Sequence, residues 1–138
     1  MEVDSKISEL DNGLRYYEDS SVATLITSGI SNALDDNVII WLFGLAFVHA
    51  EEMKEQGAYA DYLIVFDVKS EVHSDNAIKY TVKLSQEQPD YKSEHKMVFI
   101  GSDSKLFNGR IYLIEAWNGE QTRDINKHYI TMLLPEEY

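Results

Sequence analysis

Val38-Ile39-Ile40-Trp41-Leu42-Phe43-Gly44-Leu45-Ala46-Phe47-Val48 is an uncharged run of eleven residues in which only Gly44 interrupts the large apolar side chains. The acidic pair Asp35-Asp36 precedes it, and the polar run His49-Ala50-Glu51-Glu52-Met53-Lys54-Glu55-Gln56-Gly57 follows. An aspartate before a helix offers an oxygen to the orphan amides of the first turn, and its charge suits the positive helix end. A glycine just past a helix takes the left-handed conformation that closes it. The pattern therefore predicts one helix from Asp35 or Asp36 to about Gln56. Its first half is apolar on nearly every side, and its last two turns are amphipathic, with Glu51, Glu52 and Glu55 in water. Such a helix needs cover on more than one side, from the rest of the chain or from another subunit.

Upstream, Val22-Ala23-Thr24-Leu25-Ile26-Thr27 is rich in β-branched residues and reads as a strand that ends in a Ser28-Gly29 turn. Residues 1–20 are polar, with Ile7, Leu10 and Leu14 spaced for a short amphipathic helix, and form an arm or capping segment to a single domain over residues 21–138. Downstream of Tyr59 the apolar period becomes two. Residues 61–68 read as a strongly apolar strand. In residues 78–84, Ile78, Tyr80, Val82 and Leu84 fall on one face and Lys79, Thr81 and Lys83 on the other. His73-Ser74-Asp75-Asn76 has turn chemistry and makes these two a hairpin. Gln86–Lys92 reads as an extended segment ending at Pro89, which cannot donate to a ladder and so marks an edge or a bend. Further strands are expected at residues 96–100, 110–117 and 128–134, separated by 101–109 and 118–127. The order β-α-β-β-β-β-β predicts an α+β domain, with one central apolar helix packed on a largely antiparallel sheet of five to six strands.

A chain of 138 residues with 44% hydrophobic and 12% aromatic residues suits one globular domain. It contains no cysteine, so disulfides, thiolate nucleophiles and thiolate metal sites are excluded, and a reducing cytoplasm is the expected location. No secretory signal is visible in the first residues, and the apolar run is shorter than the ~20 residues that span a bilayer, so no membrane partner is expected. The net charge of −12 argues against direct nucleic-acid binding, which needs clustered Lys and Arg. Residues 35–75 hold nine acids against Lys54 and Lys69, whereas from residue 76 onward nine acids meet eight bases. The acidity serves solubility, or it makes a face for a basic partner.

Catalytic patterns are missing. No G-x-S-x-G elbow, Walker A lysine or dinucleotide fingerprint is present, and Gly101-Ser102-Asp103-Ser104 is an isolated glycine loop. Carboxylate pairs such as Asp35-Asp36, Glu51-Glu52 and Glu136-Glu137 are expected by chance in so acidic a chain. His49 and Glu52 share a helix face at the spacing of a metal clip, but no second motif accompanies them, and a solvent-facing pair is the expectation. Neither a metal nor a cofactor is expected, and no enzyme class is supported.

Nine tyrosines are many for this length, and Tyr and Trp suit protein contacts as well as half-buried strand faces. The segment Gln86-Glu87-Gln88-Pro89-Asp90-Tyr91-Lys92 carries Tyr91 at its tip, Trp117 falls at a strand end, and Tyr138 closes the sequence. Together with Glu51, Glu52 and Glu55 these are the candidate protein-contact residues. Four patches also resemble a known family: Ile26-Thr27-Ser28-Gly29-Ile30, residues 61–68, residues 86–94, and the ending Thr131-Met132-Leu133-Leu134-Pro135-Glu136-Glu137-Tyr138. They are similar to the domain-of-unknown-function family 960, small proteins of Gram-positive bacteria and their mobile elements. The resemblance runs from about residue 22 to the end and departs in the first twenty residues and in the 101–108 and 118–127 connections. It implies a compact helix-plus-sheet domain and supplies no catalytic residue and no cofactor. The reading is a non-catalytic protein-binding or regulatory domain with a protein partner, with a homodimer as one way to cover the helix. The alternative is an acidic counter-defence protein of a mobile element that mimics nucleic-acid charge and inhibits a host nucleic-acid-binding enzyme.

Overall fold

The computed structural model describes residues 8–10, 22–58, 60–101, 105–115 and 128–138. In chain order the elements are β1 (Ser8–Leu10), β2 (Val22–Ile26), α1 (Ser28–Ala33), α2 (Asp36–Glu55), β3 (Leu63–Ser74), β4 (Ala77–Glu87), β5 (Asp90–Ile100), β6 (Gly109–Glu115), β7 (His128–Leu133) and a closing 3-10 turn, Pro135–Glu137. All strands join one sheet in the order β1-β2-β7-β6-β3-β4-β5. Neighbours run antiparallel except β2 and β7, which run parallel with Leu25 beside Thr131. The domain is therefore α+β with a mixed sheet. Against an expectation of five to six strands, six strands of five residues or more are joined by the three-residue β1.

The period-two pattern of β4 places Ile78, Tyr80, Val82, Leu84 and Gln86 in the interior, as the alternation required. In register beside them stand Phe66 and Val68 of β3, and beyond those Ile111 and Leu113 of β6 and Met132 of β7. Against this face α2 buries Val38, Ile39, Leu42, Phe43, Ala46 and Phe47, in one core with the strand residues. Each large side chain so buried contributes about 1.5–3 kcal/mol relative to exposure. The helix is not enclosed, however. Ile40, Trp41, Gly44 and Leu45 are only half-buried, and Val48 is 56% exposed. One sheet covers one side of a helix, and the opposite stripe of α2 is covered only in part.

Several local expectations need correction. Ser28-Gly29 is not a turn but the start of α1, whose cap is Thr27: its hydroxyl accepts from the Ile30 amide at 3.3 Å. Asp35 holds the N-cap position of α2 with an extended backbone, yet its side chain makes no capping bond. Its carboxylate instead accepts from the Lys105 amide at 3.2 Å. At the other end Gly57 has the expected left-handed backbone, φ +77°. Leu10, spaced as part of a short helix, lies in β1 paired with β2; the remainder of residues 1–20 lies outside the described residues. Pro89 sits in the two-residue turn between β4 and β5, and the strand begins at Asp90, well before Lys96. The 118–127 connection also falls outside the described residues.

Candidate functional site

Trp41, Gly44, Leu45 and Val48 recur at i, i+3, i+4 and i+7, so they form one stripe of α2, turned away from the stripe of Ile39, Leu42, Phe43 and Ala46 that meets the sheet. Together with Ile40 and Phe47 they line a shallow, open groove of about 740 Å³ whose lining comes from α2 alone. Continuing along the helix, Glu51, Glu52 and Glu55 line its far end, all three exposed. The apolar floor is held in place from below. The Trp41 ring stands edge-on against Phe99 of β5, centroids 5.6 Å apart, and Phe99 packs in the same manner on the fully buried Tyr80.

Gly44 is the unusual residue of this stripe. A glycine in a helix interior costs about 0.5–1 kcal/mol relative to alanine, because the unfolded chain loses more freedom there. Crowding commonly explains such a glycine, but a Cβ built on Gly44 would meet nothing within 4 Å. The missing side chain leaves the middle of the groove open.

At the acidic end lies a buried polar hub. His49 is 3% exposed, which overturns the expected solvent-facing pair with Glu52. Its Nε2 donates to Gln86 Oε1 at 2.6 Å, and the same oxygen accepts from the Asp61 amide at 3.0 Å. Gln86 Nε2 donates to the Pro89 carbonyl at 2.9 Å, which fixes the amide orientation and hence the His49 tautomer. One side chain thus ties the last turns of α2 to the entry of β3 and to the β4–β5 turn. Among the described residues no group of three His, Cys, Asp or Glu side chains is placed to hold a metal ion. No helix among them is long and apolar enough to cross a membrane.

Of the candidate contact residues, Glu51, Glu52 and Glu55 fall together at the groove. Tyr91 comes close to them: its ring is 5.0 Å from that of His49, and its hydroxyl donates to Glu52 Oε1 at 3.4 Å. Tyr138 is elsewhere. It packs edge-on against Tyr112, whose side chain belongs to the sheet face opposite α2, and it is 49% exposed. Trp117 lies outside the described residues. The sequence does not single out Trp41, Gly44, Leu45 and Val48 as a surface, although their helical spacing is visible in it. A run that is apolar all round does not say which stripe the sheet will cover. Compared with protein-family models, curated proteins and solved structures, the chain finds no match, so the site is read from its own geometry.

Proposed function

We propose that this chain is a non-catalytic protein-binding domain, acting in the cytoplasm, whose α2 groove receives an amphipathic segment of a partner protein. The observation that carries the reading is Gly44, a destabilising choice in the middle of α2 that no neighbour demands and that keeps an apolar groove open. The chemistry of the occupant follows from the walls. Apolar anchors would sit on Trp41, Leu45 and Val48, and Lys or Arg side chains would meet Glu51, Glu52 and Glu55. Among the described residues none of the three makes an ion pair, and Glu52 accepts only the long hydrogen bond from the Tyr91 hydroxyl.

A test uses a helical peptide of leucine and lysine as the probe and the emission of Trp41 as the readout, with Trp117→Phe in every chain compared so that one tryptophan remains. Saturable binding is expected for the native chain. Gly44→Leu fills the groove without disturbing the core and should weaken binding about tenfold or more, the scale of one lost anchor. The triple variant E51K/E52K/E55K should weaken it as well and flatten its salt dependence. Affinity unchanged by Gly44→Leu would sink the groove reading. Binding that collapses with salt yet ignores Gly44→Leu would point instead to the acidic surface acting as a phosphate mimic, the use that the net charge of −12 allows.

A further inference from the structure

β5 is the last strand of the sheet. β4 pairs with it along its whole length, from Ala77 beside Ile100 to Glu87 beside Asp90, and among the described residues no strand lies on its other side. Eleven residues of open edge are a template for another strand unless something blunts them. Charge is the usual means, and here the charges have a pattern. Asp90, Lys92, Glu94 and Lys96 are all exposed, share the sheet face away from α2, and alternate in sign. Among the described residues none of the four makes an ion pair. A guard of one sign would repel a second copy in every register. An alternating guard repels it in some registers and attracts it in others.

Five registers place the axis inside the row, from Tyr91 to His95. A strand paired antiparallel with its own two-fold mate keeps side chains of one face together, so the two-fold axis passes through a residue. An axis at Lys92 sets Lys92 against its own copy and Asp90 against the partner's Glu94. An axis at Glu94 sets Glu94 against its own copy and Lys92 against the partner's Lys96. An axis at Tyr91 matches Asp90 only with the partner's Lys92, and one at His95 matches Glu94 only with the partner's Lys96. With the axis at Ser93 every member of the row is matched: Asp90 meets the partner's Lys96 and Lys92 meets the partner's Glu94, each twice by symmetry. Opposite charges directly across an antiparallel pair stabilise it, and like charges there destabilise it.

We propose that a second copy of this chain docks along β5, antiparallel and centred on Ser93, joining the two sheets edge to edge. The charged row faces away from α2, so either this surface or the α2 groove can fail while the other stands. Sedimentation of the full chain across a concentration series reads the dimer, with circular dichroism confirming that each variant folds. K92E/K96E makes the row wholly acidic and D90K/E94K makes it wholly basic, and each alone should weaken self-association at least about tenfold. Mixed in equal amounts, the two should form a heterodimer. The fourfold variant D90K/K92E/E94K/K96E restores alternation and should restore the dimer. The register is read by Ser93→Cys, in a chain without native cysteine. It should oxidise to a covalent dimer much faster than Glu71→Cys, an exposed position on β3. A native chain that stays monomeric at millimolar concentration, acidic and basic variants that do not pair, or Ser93→Cys no faster than the control would each overturn the proposal.

Discussion

Two residues carry free energy out of proportion to their size, with opposite sign. Gly44→Ala adds a methyl group to open space in a helix interior, so it should raise stability by about 0.5–1 kcal/mol in a urea melt. A loss would mean that the stripe is more crowded than its geometry shows. Gln86 is the reverse case. Replacing it with leucine keeps the volume but strands His49 Nε2, the Asp61 amide and the Pro89 carbonyl at once. An unsatisfied buried polar group costs about 1–3 kcal/mol, and some of these three will find water, so about 2–4 kcal/mol is expected. Thermal melts of Gln86→Leu beside Gln86→Glu check it. His49 also shows what adjacent residues cannot tell. Its neighbours Glu51 and Glu52 are in water, and its burial depends on a glutamine 37 positions later that accepts its hydrogen bond.

Among the elements, those whose signals are local were legible and those fixed by distant partners were not. α2 announces itself through Asp36, an apolar run and Gly57, all within its own length or two residues past its end. β3 and β4 do so through period two. α1 has six residues, too few to hold a helix in isolation, and Ser28-Gly29 alone favours a turn. β5 alternates charge with polarity over Asp90–Glu94, because an edge strand has no second neighbour to demand apolar side chains, so only its end read as a strand. The β5–β6 connection is likewise set from afar. Ser70 of β3 donates to the Phe107 carbonyl, Asn108 accepts from the Ser70 amide, and Lys105 reaches the Asn32 carbonyl and Asp35. Tyr80 completes this set by donating its hydroxyl to the Lys105 carbonyl. Burial, and then the negative charge of Asp35, push the Tyr80 hydroxyl up to about 12, while its hydrogen bond with Ser70 pulls the other way. An unfolded tyrosine ionises near 10. Below that value both states keep the proton and the contribution is whole. Between about 10 and 12 the unfolded chain has lost a proton that the folded chain still holds, so stability falls as pH rises, by at most about 1.4 kcal/mol per unit. Urea melts from pH 9 to 12 should show a shallower decline in Tyr80→Phe than in the native chain. Equal slopes would remove Tyr80 from the account.

On the scale of the whole molecule, the start and end of the domain are fastened together. β7 lies beside β2, and the 3-10 turn that follows β7 sends Glu137 back to the beginning of α1. Its carboxylate accepts from the Thr27 hydroxyl at 2.5 Å, the Gly29 amide at 3.1 Å and the Leu134 amide at 2.9 Å. Charged acceptors make the stronger hydrogen bonds, so Glu137→Ala should lower stability by about 2–3 kcal/mol, discounted for the partial exposure of the site. Gly29 is part of the same fastening for a steric reason. A Cβ there would stand 2.6 Å from Glu137 Oε2, so Gly29→Ala must expel the carboxylate from its seat. The cost of that substitution is therefore conditional. In the native background it should approach the cost of Glu137→Ala itself. In a Glu137→Ala background the obstacle is gone, and alanine should be neutral or slightly better than glycine inside α1. The double-mutant cycle should then give a coupling of at least about 1 kcal/mol, where independent sites would add to within about 0.5 kcal/mol. Additive losses would mean that the two ends are merely adjacent. Strong coupling would mean that α1, which its own six residues do not sustain, is held as a helix by a carboxylate delivered 108 positions later in the chain.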